Sequence, residues 1–492
     1  MLLRTLAAAD PAATALADER RAVTYGDLGE LLERERDWLV ASTSERFALL
    51  ADNGVAWAIA DLALHVGGLF SVPLPGSFTD ALTVHALDDA GIDTLLTDDV
   101  PRAQRLPGWR LDGATPASGL FRFRRELDSS QRPVVAHGTG KVTYTSGSTS
   151  RPRGVCLAGG SLESVATAVA CATAQLDIER HLCLLPLATL LENVAGLYAP
   201  LLRGATCLVP SCSTTGIDYA GLDVARLAGV VASLRPNSLI LVPELLQALV
   251  AAAERGWRAP TSLRFVAVGG ARVSPALLAR ADTAGIPVFE GYGLSECASV
   301  VCLNTPQARR AGAVGRPLSH VRVRVDAQGQ VHVAGNTMLG YLGAAPLPAG
   351  AEFATGDLGR FDDDGFLQLQ GRQGNRFITS FGRNVSPEWV ESEVAQRLDG
   401  RPVLACGEAR PYVVALVGVA ADEADDAAVT RAIAAANAAL PVYAQVRHWA
   451  RTDQPFSFAD GTLTANGRPR RSAILARHRD RIDALYTEAA AS

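Results

Sequence analysis

Short apolar runs alternate with longer amphipathic stretches along most of this chain. Residues 46–51 read as an apolar strand that Asp52-Asn-Gly54 ends, residues 55–70 have helical length, and residues 71–75 form an extended exit. Strand, helix, strand at that spacing predicts βαβ units and a largely parallel sheet. Further strands are predicted over 142–144, 263–268 and 287–290, with a helix over 161–176. Residues 321–325 and 330–333 alternate around Asp326-Ala-Gln-Gly329, a hairpin signal. Residues 2–40 carry a helical pattern that includes Val23-Thr-Tyr-Gly-Asp-Leu28 turning into a helix, whereas 98–137 is irregular and shows no legible chemistry. Ser386 as N-cap and Pro387 at the first helical position predict a helix over 388–398 with Val390, Val394 and Leu398 as its buried stripe. A strand over 411–419, an acidic turn over 422–426 and a helix over 427–440 follow.

With 492 residues the chain exceeds one ordinary core, so two or more domains are expected. Hydrophobic content of 48% against 20% charged residues fits a soluble globular protein. A net charge of −5 and the lack of a basic stripe interleaved with aromatics exclude an electrostatic case for nucleic acid. Eight cysteines without C-x-x-C pairs signal neither a disulfide framework nor a zinc site, and fit a reducing cytoplasm with mostly buried, inert thiols. The two most apolar stretches, 55–74 and 230–253, are interrupted by Asp61 and His65 and by Arg235, Pro236 and Glu244, so no integral membrane segment is expected. Lys141 is the single lysine, which reads as a chain-wide bias toward arginine.

The densest chemistry lies in Val142-Thr-Tyr-Thr-Ser-Gly-Ser-Thr-Ser-Arg-Pro-Arg-Gly-Val155. A strand breaks here into hydroxyls and glycine with Arg151 and Arg153 behind them. Small residues let backbone N–H groups turn toward an anion, hydroxyls add donors and a cation offsets charge, which suits a polyphosphate. By itself such a run also suits a solvated surface loop. Farther on, Gly269-Gly-Ala271 permits close backbone approach to a flat group. In Gly291-Tyr-Gly-Leu-Ser-Glu-Cys297, Tyr292 can stack on an adenine face and Glu296 can hold Mg²⁺ against phosphate oxygens. Asp362–Asp364 read as a polar turn before Gly365.

Taken in order, these motifs resemble the adenylate-forming superfamily of acyl-CoA synthetases, aryl-CoA ligases, peptide-synthetase adenylation domains and luciferases. Thr145 to Gly154 is similar to its phosphate loop, T-S-G-[ST]-[TS]-G-x-P-K-G, with Ser150 for the usual Gly and Arg153 for the usual Lys. Gly291 to Glu296 resembles Y-G-x-[ST]-E, and Thr355-Gly-Asp357 resembles the motif whose Asp accepts ribose hydroxyls. Leu185-Pro-Leu-Ala-Thr-Leu-Leu-Glu192 resembles the L-P-L-x-H-x-x-E region of long-chain acyl-CoA synthetases, with Thr189 at the gate position. A core strand and helix with Glu192 at a solvated turn fits that stretch equally well. Gly371 to Glu391 resembles the hinge region, with Arg372 at a ribose or phosphate contact, Gln373 and Gly374 at the hinge, and Gly382 in the loop that meets a pantetheine thiol. Leu463 to Arg471 resembles L-T-x-x-x-K-x-K-R, with Arg468 in place of the lysine that bridges carboxylate and α-phosphate.

The resemblance implies an α/β fold: a large N-terminal AMP-binding domain of stacked sheets and helices over 1–372, and a small α+β C-terminal lid over 373–492. It implies ATP, Mg²⁺ and CoA, or the phosphopantetheine of a carrier protein. It assigns catalysis to Glu296, Arg468 and Thr145, the metal to Glu296, and nucleotide binding to Ser146, Gly147, Ser148, Thr149, Arg153, Gly269, Gly270, Ala271, Gly291, Tyr292, Gly293, Ser295, Asp357 and Arg372, with Gly382 on the thiol side. A fatty or aromatic acid would be converted to acyl-AMP and then to a thioester. The Asp that pairs with an amino-acid ammonium in peptide-synthetase domains has no counterpart near Thr189. Two alternatives stand beside this reading: a ligase for a free-standing acyl-carrier protein, and a degenerate, non-catalytic binder of acyl groups or nucleotides.

Overall fold

Runs such as Ser238–Leu241 and Phe265–Val268 are apolar on both faces, which places them inside a parallel sheet covered on each side. The computed structural model describes residues 5–127, 132–145, 152–218, 221–348, 350–373, 377–380, 384–418, 425–457, 459–463 and 469–487. Ser238–Leu241 and Phe265–Val268 are neighbours in a nine-stranded sheet, with Val288–Leu294 beyond the second and Arg180–Leu182 beyond the first. These central strands are parallel, while Ser299–Leu303 turns back antiparallel on Val288–Leu294. A second sheet, of eight strands, holds Arg46–Leu50, Phe70–Pro73 and Thr94–Thr97 in parallel, then Thr139–Thr145 and its antiparallel partner Arg153–Ala158.

Helices Val55–Val66 and Gly159–Ala172 contribute to the main core, in which Trp57, Ile59 and Leu62 are fully buried. An antiparallel four-stranded sheet follows, from Val321–Val325 to Leu367–Arg372. The C-terminal part builds separate cores. Val390 and Val394 of helix Pro387–Gln396 and Val429 and Ile433 of helix Asp426–Asn437 pack together with the three-stranded sheet of Val403–Cys406, Val413–Val417 and Val446–Arg451. The architecture is the expected large α/β domain followed by a smaller α+β one.

Lys141 changes meaning in three dimensions. Its ammonium is buried, 2.6 Å from both Asp61 Oδ1 and Asn193 Oδ1 and 3.2 Å from the Tyr198 hydroxyl. Asn193 Nδ2 and the Tyr198 hydroxyl each donate to Asp61 Oδ2 over 2.8 Å. This network ties the second sheet and helix Val55–Val66 to a π-helical turn, Glu192–Tyr198.

Other expectations need correction. Residues 2–40 contain the strands Thr14–Ala17 and Ala22–Thr24 before helix Tyr25–Ala41, because they complete the edge of the nine-stranded sheet. Residues 98–137 include helix Val100–Arg105 and the hairpin Arg110–Ala114 and Phe121–Arg124, which extends the second sheet. Ser386 precedes helix Pro387–Gln396 but makes no capping bond; its hydroxyl donates to Glu388 Oε2 instead. The predicted hairpin at Asp326 and the polar turn at Asp362 are both present. Most of the predicted acidic turn, together with Ser146, Gly147, Ser148, Thr149, Ser150, Arg151, Gly374, Gly382 and Arg468, lies outside the described residues.

Candidate active site

Thr139–Thr145 and Arg153–Ala158 pair antiparallel with Thr145 opposite Arg153, so the base of the hydroxyl-rich loop is a hairpin end. Thr145 faces the main cavity of the molecule. Arg153 does not line that cavity. Its guanidinium lies 3.6 Å from the ring centroid of Tyr341, and the Tyr341 hydroxyl donates to Glu296 Oε1 over 2.9 Å. Burial and the neighbouring Glu296 carboxylate push the Tyr341 hydroxyl up to about 12, so it stays a donor to Glu296 near neutrality. Arg153 and the candidate metal ligand Glu296 are thus joined through one tyrosine.

Glu296 stands in a short 3₁₀ turn, Ser295–Cys297, at the end of strand Val288–Leu294. A register shift between Tyr292 and Gly293 lets the strand bend, and a Cβ at Gly293 would overlap the Ser299 carbonyl. The chain then passes through Ala298 at φ 58° and Ser299 at φ 109°, a conformation costly for residues with side chains. That strained return aims Glu296 into the cavity beside Gly291, Gly293 and Ser295. Among the described residues only one oxygen of Glu296 is hydrogen-bonded, so a half-buried carboxylate oxygen is left for a hard cation such as Mg²⁺.

Asp357 and Arg372 sit directly opposite each other on antiparallel strands Phe353–Phe361 and Leu367–Arg372. Arg372 Nε donates to Asp357 Oδ1 over 2.8 Å, and the Tyr292 hydroxyl donates to Asp357 Oδ2 over 2.6 Å. Burial, then the Asp357 charge, holds the Tyr292 hydroxyl well above its ordinary range. Tyr292 packs with Cys297, Val301 and Leu367, and its remaining surface faces the cavity.

A single cavity of about 810 Å³ collects Thr145, Gly269, Gly270, Ala271, Gly291, Tyr292, Gly293, Ser295, Glu296, Asp357 and Arg372. Pro469 and Arg471 from the C-terminal part line it too. Leu463 bridges to Pro469, Arg470 N donates to Thr462 O over 2.7 Å, and Arg471 is ion-paired with Glu391, a further lining residue of the cavity. Thr189 also lines it.

Glu192 is fully buried rather than at a solvated turn. His181 Nε2 lies 3.3 Å from Glu192 Oε1, His181 Nδ1 lies 2.9 Å from Ser238 Oγ, and burial raises the Glu192 carboxyl above its ordinary value. Cys183 approaches the same group, but its thiol donates to the Gly196 carbonyl. Tyr341, His181, Ser238 and Arg471 are the residues that motif reading left without a role. His181 and Ser238 meet only through the parallel register that places them side by side.

Stacked α/β sheets followed by a smaller α+β domain, with one cavity lined from both, are the arrangement expected of an adenylate-forming enzyme. The model of the AMP-binding enzyme family matches residues 3–342 and that of the AMP-binding enzyme C-terminal domain matches residues 375–490: the chain belongs to the AMP-binding enzyme family. It is 28% identical over 468 residues to a 3-[(3aS,4S,7aS)-7a-methyl-1,5-dioxo-octahydro-1H-inden-4-yl]propanoyl:CoA ligase of Rhodococcus jostii, covering 84% of this chain and 88% of that one. It is also 28% identical over 418 residues to a feruloyl-CoA synthase of Amycolatopsis, covering 78% and 80%. An O-succinylbenzoate coenzyme A synthetase from Bacillus subtilis, in complex with ATP and magnesium ion, shares the fold with a TM-score of 0.73 at 22% identity over 96% of this chain and 98% of that one.

Proposed function

We propose that the chain activates an apolar acid, aliphatic or aromatic, and that the residues of the 810 Å³ cavity carry out the chemistry. The reaction class is that of AMP-forming acid–thiol ligases: ATP and a carboxylic acid give acyl-AMP and pyrophosphate, and CoA then displaces AMP to give a thioester. The observation that carries the assignment is the convergence of Thr145, Gly269–Ala271, Tyr292, Glu296, Asp357 and Arg372 on one cavity from separate stretches of sequence.

A carboxylate is a poor electrophile, and attack of its oxygen on the α-phosphate converts it into a mixed anhydride. The protein must align that attack and hold phosphate charge. In this reading Asp357, fixed by Tyr292 and Arg372, accepts the ribose hydroxyls, and the glycines of Gly269–Ala271 admit the flat base. Thr145 and the loop after it donate to phosphate oxygens, with Arg153 placed behind them. Magnesium, held through Glu296, would neutralise charge on the departing pyrophosphate. Arg468 bridges the carboxylate and the α-phosphate; arginine keeps the charge but is planar and bulkier than lysine.

The domain boundary is placed near Gln373, with the lid over 373–492 turning about Gln373 and Gly374 between the two half-reactions and bringing the Gly382 loop to the thiol. Separate C-terminal cores support a body able to move as a unit. CoA is the thiol acceptor in this account, and a free-standing carrier protein is the second choice. Cysteines that are all free, most of them buried, suit a cytoplasmic setting, and no helix among the described residues is long and apolar enough to cross a membrane.

Mass spectrometry tests the sequence of steps. With ATP, Mg²⁺ and a panel of fatty, benzoic, cinnamic and amino acids, acyl-AMP should accumulate for an apolar class. Adding CoA should convert it to thioester, while conversion only by a phosphopantetheinylated carrier would move the assignment to the carrier-dependent reading. Nucleotide binding without acyl-AMP from any acid would favour the degenerate binder.

A further inference from the structure

The cavity does not end at the nucleotide residues. From Gly269 it follows one face of the nine-stranded sheet past Ala267 and Ile240 to Phe265, Ser238 and His181, under Ala195 of the π-helical turn and Ala199 immediately after it. Residues 265 to 269 span about 13 Å at ~3.3 Å per strand residue. The middle of this passage is apolar. Its inner end is not, because His181 and Ser238, 3% exposed each, face it as register neighbours.

Several features hold that polar end in place. A Cβ at Gly196 would overlap Glu192 Oε1 and come within 3.0 Å of His181 Nε2, so glycine makes room for the pair. The π-helical turn supplies Glu192 on one side, while its Asn193 and Tyr198 are clamped by Lys141 and Asp61 on the other. Burying a histidine and a carboxylate together is a poor source of stability, since desolvation offsets their attraction. A positioned polar group in a binding cavity is the use that fits. Both ring nitrogens of His181 are already engaged, by Ser238 and Glu192. The Ser238 hydroxyl has one donor and two lone pairs, and the contact with His181 occupies one of these.

We propose that Ser238, oriented by His181 and Glu192, is a specificity-determining residue that hydrogen-bonds an oxygen substituent, hydroxyl or oxo, on the tail of the acid substrate. The inference rests on the ligase reading above. It narrows the substrate to acids with an apolar stem and an oxygen placed about 13 Å along the passage, by the strand rise used above.

Matched pairs of acids test it: straight-chain and arylpropanoic acids, each beside its hydroxyl and oxo analogues at successive positions. kcat/KM for ATP-dependent pyrophosphate release is taken as the ratio of oxygenated to plain acid within each variant, so that general losses cancel. The ratio should be about tenfold or more at one position, as expected for a site built to hydrogen-bond its substrate. It should fall to within about twofold in Ser238→Ala and persist in Ser238→Thr, which keeps the hydroxyl. A wild-type preference for the plain acid at every position, or an unchanged ratio in Ser238→Ala, overturns the inference while leaving the ligase reading intact. Release of no pyrophosphate with any acid would overturn both.

Discussion

The Tyr292 hydroxyl donates to Asp357 Oδ2 over 2.6 Å, so the two residues expected to hold adenine and ribose are one hydrogen-bonded unit. Arg372 completes it from the facing strand, at 2.8 Å from the other carboxylate oxygen. Bonds to a charged group contribute about 1.5–3 kcal/mol. Asp357→Asn should therefore raise KM for ATP on the order of tenfold to a hundredfold. Tyr292→Phe, which keeps the ring and loses one donor, should raise it less. Initial rates against ATP concentration check both.

Gly293 sits where any Cβ would overlap the Ser299 carbonyl, in the bend that aims Glu296. Gly293→Ala should lower stability by about 2–4 kcal/mol and depress kcat more than KM for the acid. Urea unfolding and steady-state kinetics on one preparation measure the two effects.

Lys141 illustrates how far the sequence could be read. Its solitary status looked like a compositional accident, yet its ammonium fits a closed site 2.6 Å from both Asp61 and Asn193. Removing one member of a buried pair costs about 3–5 kcal/mol, so Lys141→Met should be strongly destabilising. Lys141→Arg should also destabilise, because a planar guanidinium overfills the same space. Chemical denaturation midpoints provide the check.

Glu290 lines the cavity and burial raises its carboxyl to about 7, with Arg272 opposing the shift. The folded state therefore holds a proton on Glu290 that the unfolded chain releases near the ordinary value. Its contribution to stability is intact at pH 4, declines as pH rises toward 7, and is flat above that. Glu290→Gln should raise stability on the order of 2 kcal/mol at pH 8 and leave it nearly unchanged at pH 4. Thermal melts at the two values distinguish this from a pH-independent effect.

Thr145, Tyr292, Glu296, Asp357 and Arg372 are picked out as candidates by the motifs that resemble the adenylate-forming superfamily, and one cavity collects all five. Strands such as Arg46–Leu50 and Phe265–Val268 were legible as apolar runs between turn signals. The edge hairpin at residues 110–124 was not, since its first strand is exposed and shows no apolar alternation. Glu192 was read two ways because nothing local distinguishes a solvated carboxylate from one buried against a histidine eleven residues earlier. Tyr341 had no assigned role for the same reason: its meaning comes from Arg153 and Glu296, both distant in sequence.

The proposed movement of the lid about Gln373 and Gly374 predicts a separation of the half-reactions. Gly374→Pro should retain acyl-AMP formation and reduce thioester formation about tenfold or more, because proline restricts the backbone rotation the second step needs. Rapid-quench measurement of both products decides it.

In the proposed function this cavity adenylates a carboxylic acid with Arg468 as the bridging cation. Acid-dependent exchange of labelled pyrophosphate into ATP, measured for the unmodified chain and for Arg468→Ala and Arg468→Lys, tests it most directly. Exchange is expected with an apolar acid, abolished in Arg468→Ala and at least partly retained in Arg468→Lys. Exchange that survives Arg468→Ala unchanged would contradict the role of Arg468, and no exchange with any acid while ATP still binds would contradict adenylation itself.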